Sequence, residues 1–133
     1  MDMALVLDVD GLTVEFDGVR AVDGVSFRVH EGQTVALVGE SGSGKSVTGL
    51  SIMRLIDYDN AAKITSGSVT LYRRDQEAVD LLQTPLREMR SFRGNEITMI
   101  FQEPLTCLNP AYTIGEQIAE SVRIHMRLGR KAA

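Results

Sequence analysis

Gly39-Glu40-Ser41-Gly42-Ser43-Gly44-Lys45-Ser46 fits the spacing G-x-x-x-x-G-K-[ST], whose chemistry is the cradling of phosphate. Gly42 and Gly44 can take backbone angles closed to most residues that carry a side chain, so that main-chain N–H groups turn inward toward phosphate oxygens. Lys45 supplies a point charge for the β- and γ-phosphates, and the Ser46 hydroxyl is a ligand for Mg²⁺. Gly39, Glu40, Ser41, Gly42, Ser43, Gly44, Lys45, Ser46 and the adjoining Val47 are therefore the candidate residues for a nucleoside triphosphate. The competing reading is a glycine-rich turn that only links one element to the next.

Such a loop works only between a strand and a helix. Thr34-Val35-Ala36-Leu37-Val38 is an almost unbroken apolar run and predicts a parallel strand covered on both faces. Past Lys45, the spacing of Val47, Leu50, Met53 and Leu55 or Ile56 predicts a helix whose positive end faces the anion. Residues 1–33 read as an antiparallel ribbon beside that strand: Leu12, Val14 and Phe16 share one face of its first strand, and Val25, Phe27 and Val29 one face of its second. Asp17-Gly18 and Glu31-Gly32 are turn chemistry. Downstream, Ser66–Tyr72 predicts a strand, and Glu77–Arg93 a helix or helical turns interrupted at Pro85. Ile97-Thr98-Met99-Ile100-Phe101 predicts a second buried strand, ending in Gln102. Thr113-Ile114-Gly115-Glu116 fits a capping box that opens a helix with Ile114, Ile118, Val122 and Met126 in one stripe. The fold class expected is α/β, a P-loop NTPase core preceded by an N-terminal antiparallel β ribbon.

At 133 residues and 44% hydrophobic content the chain suits one domain with a real core. Its net charge of −4 argues against a nucleic-acid partner, which requires a basic surface. The single cysteine, Cys107, forms no internal disulfide and fits a reducing compartment. No apolar run approaches the roughly 18 to 20 residues that span a bilayer, and the start lacks a signal-peptide pattern. Any membrane role therefore comes through a partner. His30 and His125 read as ordinary surface or helix residues.

The second informative segment is Met99-Ile100-Phe101-Gln102-Glu103-Pro104-Leu105-Thr106-Cys107-Leu108-Asn109-Pro110. A glutamine leaving a core strand can set its amide oxygen on a metal or an attacking water, or serve simply as the strand's polar end. With the P-loop upstream, this segment resembles the Q-loop of ATP-binding cassette (ABC) transporters. Residues 39–46 and Leu108-Asn109-Pro110 are similar to the ATP-binding subunits of the dipeptide and oligopeptide import family. Gly11–Phe16 and Ala21–Phe27 also look like that family's first two strands.

The resemblance implies ATP and Mg²⁺ as cofactors, with Ser46 and Gln102 toward the metal and the Glu103–Pro110 loop coupling to membrane subunits. It implies that Phe16 stacks on adenine, although plain ribbon packing serves equally well for a Phe at that place. The partners implied are transmembrane permease subunits, a second ATP-binding subunit and, indirectly, a solute-binding protein, at the cytoplasmic face of the membrane. Glu103 and Cys107 depart from the usual Asp and Ser. The resemblance divides the chain into a ribbon (1–33), a P-loop core to the Q-loop (34–102) and the start of a helical subdomain (103–133). The family's signature segment, its strand ending in Asp and a catalytic Glu, and its switch His are not found after residue 102. The expectation is thus the N-terminal part of an ABC ATP-binding domain, able to bind nucleotide and unable to hydrolyse it. The alternatives are a stand-alone P-loop kinase, for which no Arg-rich lid is evident, and a non-catalytic nucleotide-binding regulatory fragment.

Overall fold

Asp17 and Gly18 reverse the chain. Both have positive φ, 47° and 80°, which is the geometry of a two-residue hairpin turn whose twist matches that of the flanking strands. The computed structural model describes residues 3–74, 77–103 and 108–126. The turn joins β1 (Leu5–Phe16) to β2 (Val19–His30), with Phe16 facing Val19 and Leu5 facing His30 at the ends of the ladder. A third strand, β3 (Ala62–Leu71), and a two-residue β4 (Val79–Asp80) complete an antiparallel sheet of order β2-β1-β3-β4. The chain divides into two compact units, Met1–Met89 and Arg90–Ala133.

The core of the first unit forms around β1. Val9, Leu12 and Val14 are buried there with Val22, Val69, Leu71 and Leu81. Leu12, Thr13 and Val14 are all buried in succession, whereas strict alternation would expose Thr13. The cause is a bulge, a shift of register between Val9 and Leu12 on one side and between Asp10 and Thr13 on the other. An extra residue in one strand turns its neighbours onto a new face. At this bulge Gly67 crosses β1 so closely that a Cβ would lie 2.6 Å from Leu12 Cα, so only glycine fits. In β2 the expected alternation holds: Val25, Phe27 and Val29 are half-buried while Ser26 and Arg28 are exposed.

Three expectations fail. Residues 34–38 form no strand, and Val38 is 93% exposed. Residues 98–101 form none either; Ile97 makes only an isolated bridge to Arg93, and Ile100 is 92% exposed. A parallel strand draws its hydrogen bonds from neighbours distant in sequence, and among the described residues no strand pairs with either run. The third failure is Glu77–Arg93, which is not a helix over most of its length. Val79–Asp80 is β4, turns follow, and only Met89–Phe92 is helical, as α2. Asp80 directs this: its Oδ1 accepts from Leu82 N at 2.9 Å and its carbonyl accepts from Thr84 Oγ1 at 2.9 Å, local bonds that compete with helix formation.

In the second unit, α3 (Ile114–Met126) starts where the capping pattern places it, with Thr113 Oγ1 accepting from Glu116 N at 3.2 Å. None of its residues is fully buried, and Ile114, Ile118 and Met126 of the expected stripe are exposed. No helix among the described residues is long and apolar enough to cross a membrane.

Candidate functional site

The helix after the glycine-rich loop, α1 (Lys45–Ile52), begins on Gly44, which caps it in a left-handed conformation with φ 89°. Within α1 itself Thr48 and Ser51 are the buried residues, whereas Val47 and Leu50 of the expected stripe are only half-buried; the stripe's later members, Met53 and Ile56, just past the helix, are buried. Both hydroxyls bond back within the helix, Thr48 Oγ1 to Gly44 O at 2.9 Å and Ser51 Oγ to Val47 O at 2.7 Å. Small, internally satisfied side chains let α1 seat closely against β1 and β2, which it touches. Closest of all is Gly44. A Cβ there would lie 2.4 Å from Ala21 O and 3.2 Å from Val22 Cγ2, so β2 itself demands glycine at the loop's last turn.

Lys45 closes the loop into a ring. Its Nζ donates to Gly39 O at 2.7 Å, to Glu40 O at 2.5 Å and to Ser43 Oγ at 3.1 Å, which engages the three donors an ammonium carries. At Gly39 a Cβ would come 2.4 Å from Ser43 Oγ, so a larger residue there would have to displace the Ser43 hydroxyl from Lys45. Gly42 has φ 82°, a left-handed turn residue, and Ser43 N beyond it donates to Glu40 O at 3.2 Å. Ala21, Gly42, Ser43, Gly44, Lys45, Ser46 and Val47 line a hollow of about 130 Å³. The first turn of α1 holds no acidic residue, so the positive end of the helix is not neutralised from within. A lysine, the half-buried Ser46 and the main-chain amides of a helix start form a donor set suited to phosphate and to a hard cation.

Phe16 lies in the same unit, half-buried at the end of β1 and paired with Val19 and Ala62. Ala21 of the phosphate hollow is two residues along β2 from Val19, about 7 Å at the rise of a strand. β2 therefore links the aromatic position to the hollow within one rigid element. Gln102 falls in the second unit, exposed in a bend, with Glu103 exposed beside it. Pro104 to Cys107 of the same loop, including the departure at Cys107, lie outside the described residues.

Two residues with evident roles escaped the sequence reading. Arg54, which follows α1 with φ 55°, donates through Nε to Asp57 Oδ2 at 2.5 Å and through Nη1 to the carbonyls of Leu81, Leu82 and Thr84 at 2.8, 2.8 and 3.1 Å. It pins the end of the loop's helix to the segment after β4. A lone charge inside Met53-Arg54-Leu55-Ile56 was the available signal. The other is Gln117, whose carboxamide bonds the Asn109–Tyr112 segment; nothing in its local sequence marks it.

A phosphate-binding loop packed on an antiparallel ribbon defines a class of nucleotide-binding domain, and comparison with known families gives its name. The ABC transporter family pattern matches residues 22–132, and the chain belongs to that family, with the mixed α/β fold of its ATP-binding domain. Among individual proteins it is similar to the glutathione import ATP-binding protein GsiA of Salmonella choleraesuis (strain SC-B67), at 47% identity over 137 residues, covering 100% of this chain and 22% of that protein. The protein of the same name from Pectobacterium atrosepticum is 48% identical over 132 residues, 96% of this chain and 21% of that protein. That from Escherichia coli (strain K12) is 43% identical over 137 residues, 100% of this chain and 22% of that protein. The chain thus spans about a fifth of the length of these relatives.

Proposed function

We propose that this chain supplies the triphosphate-binding part of an ATP-driven importer of small peptides or related solutes, glutathione among them. The observation that carries the reading is the ring closed by Lys45 over Gly39 and Glu40 at the start of α1. The amides of residues 42–46 receive the phosphate oxygens there, and Lys45 exchanges part of its loop bonding for the β- and γ-phosphates. Ser46, with Gln102, would hold Mg²⁺. When bound, that ion neutralises charge shared between the β- and γ-phosphates. Phe16 offers a flat apolar face to adenine at the hairpin end of β1, beside Val19 at the start of β2.

The choice of glutathione follows from the glutathione import role that the similar proteins carry in their names, and the partners follow from that import role. Permease subunits take up the motion through the Glu103–Pro110 loop, a second ATP-binding subunit faces the P-loop, and a solute-binding protein delivers cargo on the other side. The chain sits at the cytoplasmic face of the membrane. A general base for hydrolysis is not among the proposed site residues, so these 133 residues bind nucleotide without turning it over. Calorimetry with Mg·ATP tests this. Binding that Lys45→Ala weakens by about 10- to 100-fold, the worth of a charge-assisted bond to phosphate, is expected, with no phosphate release over hours. Steady ATPase activity from this chain alone, or equal affinity in the variant, would overturn it.

A further inference from the structure

Asn109-Pro110-Ala111-Tyr112 is a turn by its residue types, with Asn first and Pro second. In the structure Tyr112 N donates to Asn109 O at 3.2 Å, and Ala111 N donates to Asn109 Oδ1 at 3.0 Å. These bonds shape the turn but do not attach it to anything. The attachment comes from α3. Gln117 Oε1 accepts from Asn109 N at 2.9 Å, and Gln117 Nε2 donates to Asn109 O at 3.0 Å and to Tyr112 O at 3.0 Å. A side-chain amide that exchanges both bonds with one residue's N–H and C=O imitates a hydrogen-bonded pair in an antiparallel ladder. Only one orientation of the carboxamide satisfies all three contacts, since the flipped group would set its NH₂ against an N–H.

We infer that Gln117 is a positioning residue that locks the end of the Glu103–Pro110 coupling loop onto α3, so that a membrane subunit meets a preformed surface. The inference rests on the transporter reading above. Leu108 and Tyr112, on either side of the clamped turn, are exposed, and the turn and the helix together line a hollow of about 610 Å³ with Glu116, Glu120 and Arg123. Thr113 fixes where the helix begins, and Gln117 fixes where the loop lies against it. If the docked loop were only fractionally populated, the apparent affinity for its partner would fall by that fraction.

The test compares Gln117→Glu and Gln117→Leu with wild type in a complete ATP-binding subunit carrying these residues. Gln117→Glu keeps the size, loses both donors and sets a carboxylate against two carbonyls; Gln117→Leu loses all three bonds. Three quantities are read: hydrogen exchange at the Asn109 amide, the Kd for the detergent-solubilised membrane subunits, and the Kd for Mg·ATP. Gln117→Leu is expected to speed exchange at Asn109 by about tenfold, since only there is the acceptor for the Asn109 amide lost, and both variants to raise the Kd for the membrane subunits by about tenfold, from bonds worth about 1 kcal/mol each. The Kd for Mg·ATP stays within about twofold. Unchanged exchange at Asn109 in Gln117→Leu, or unchanged membrane-subunit affinity in both variants, overturns the inference. A parallel loss of Mg·ATP affinity also overturns it, because Gln117 then supports the fold at large. A wild-type protein that binds neither Mg·ATP nor the membrane subunits overturns the transporter reading instead, and exchange at Asn109 still decides whether the clamp exists.

Discussion

The ribbon and the apolar run directly after it are made of the same kinds of residue, yet they behave oppositely. β1 and β2 bury Val9, Leu12, Val14 and Val22, while Val38, eight residues beyond the end of β2 at His30, stands 93% exposed. Antiparallel neighbours are supplied by a two-residue turn, so the ribbon completes its hydrogen bonds from within. A parallel strand has no such local source. Apolar composition alone therefore does not make a buried strand, and the glycine-rich loop is anchored here through Gly44 against Ala21 rather than through residues 34–38.

Substitutions test that contrast, the pair at Val14 and Val38 first and the others in falling order of effect. Val14→Asp puts an unpaired charge in the ribbon core and is expected to cost about 4 kcal/mol or more, enough to abolish a cooperative thermal transition. Val38→Asp is expected to stay within about 0.5 kcal/mol in this chain, and to become costly only in a longer chain that pairs residues 34–38. Equal losses for the two would erase the distinction. Arg54→Met removes a half-hidden guanidinium, 14% exposed, from one carboxylate and three carbonyls. About 3 kcal/mol should be lost in urea unfolding; a change under about 1 kcal/mol would show that the tie is loose. Gly44→Ala forces a side chain into a left-handed conformation and against Ala21 O. It should cost about 2 kcal/mol and at least about tenfold in Mg·ATP affinity by calorimetry. Phe16→Ala is expected to weaken Mg·ATP by only about fivefold, the worth of one aromatic stack, while leaving binding of inorganic triphosphate unchanged. Equal loss for both ligands would assign Phe16 to ribbon packing.

How much could be read in advance follows from the range of each interaction. The glycine-rich loop, the Asp17-Gly18 reversal and the Thr113 cap depend on residues within a few positions of each other, and spacing alone discloses them. The bulge at Gly11 and Gly67 joins segments far apart in the chain, so alternation could not foretell that Thr13 is buried. Glu77–Arg93 carried apolar residues at helical intervals, but Asp80 and Thr84 spent their bonds on turns. Thr48 and Ser51 looked like the polar side of α1 and form its buried side, because their hydroxyls are satisfied inside the helix. Arg54 and Gln117 bond main-chain groups, which are chemically alike in every sequence; Arg54 shows only as a lone charge among apolar residues, and Gln117 not at all.

An amide-resolved NMR titration with Mg·ATP asks most directly whether the ring between Gly39 and Ser46 holds a triphosphate. The largest shifts should fall on the amides of Gly42 to Ser46, with a smaller response at Ala21 and Phe16, and the Lys45→Ala variant should need about 10- to 100-fold more Mg·ATP to show them. Saturating Mg·ATP that leaves the amides of residues 42–46 unmoved, or that moves them at the same concentrations in Lys45→Ala, would contradict it.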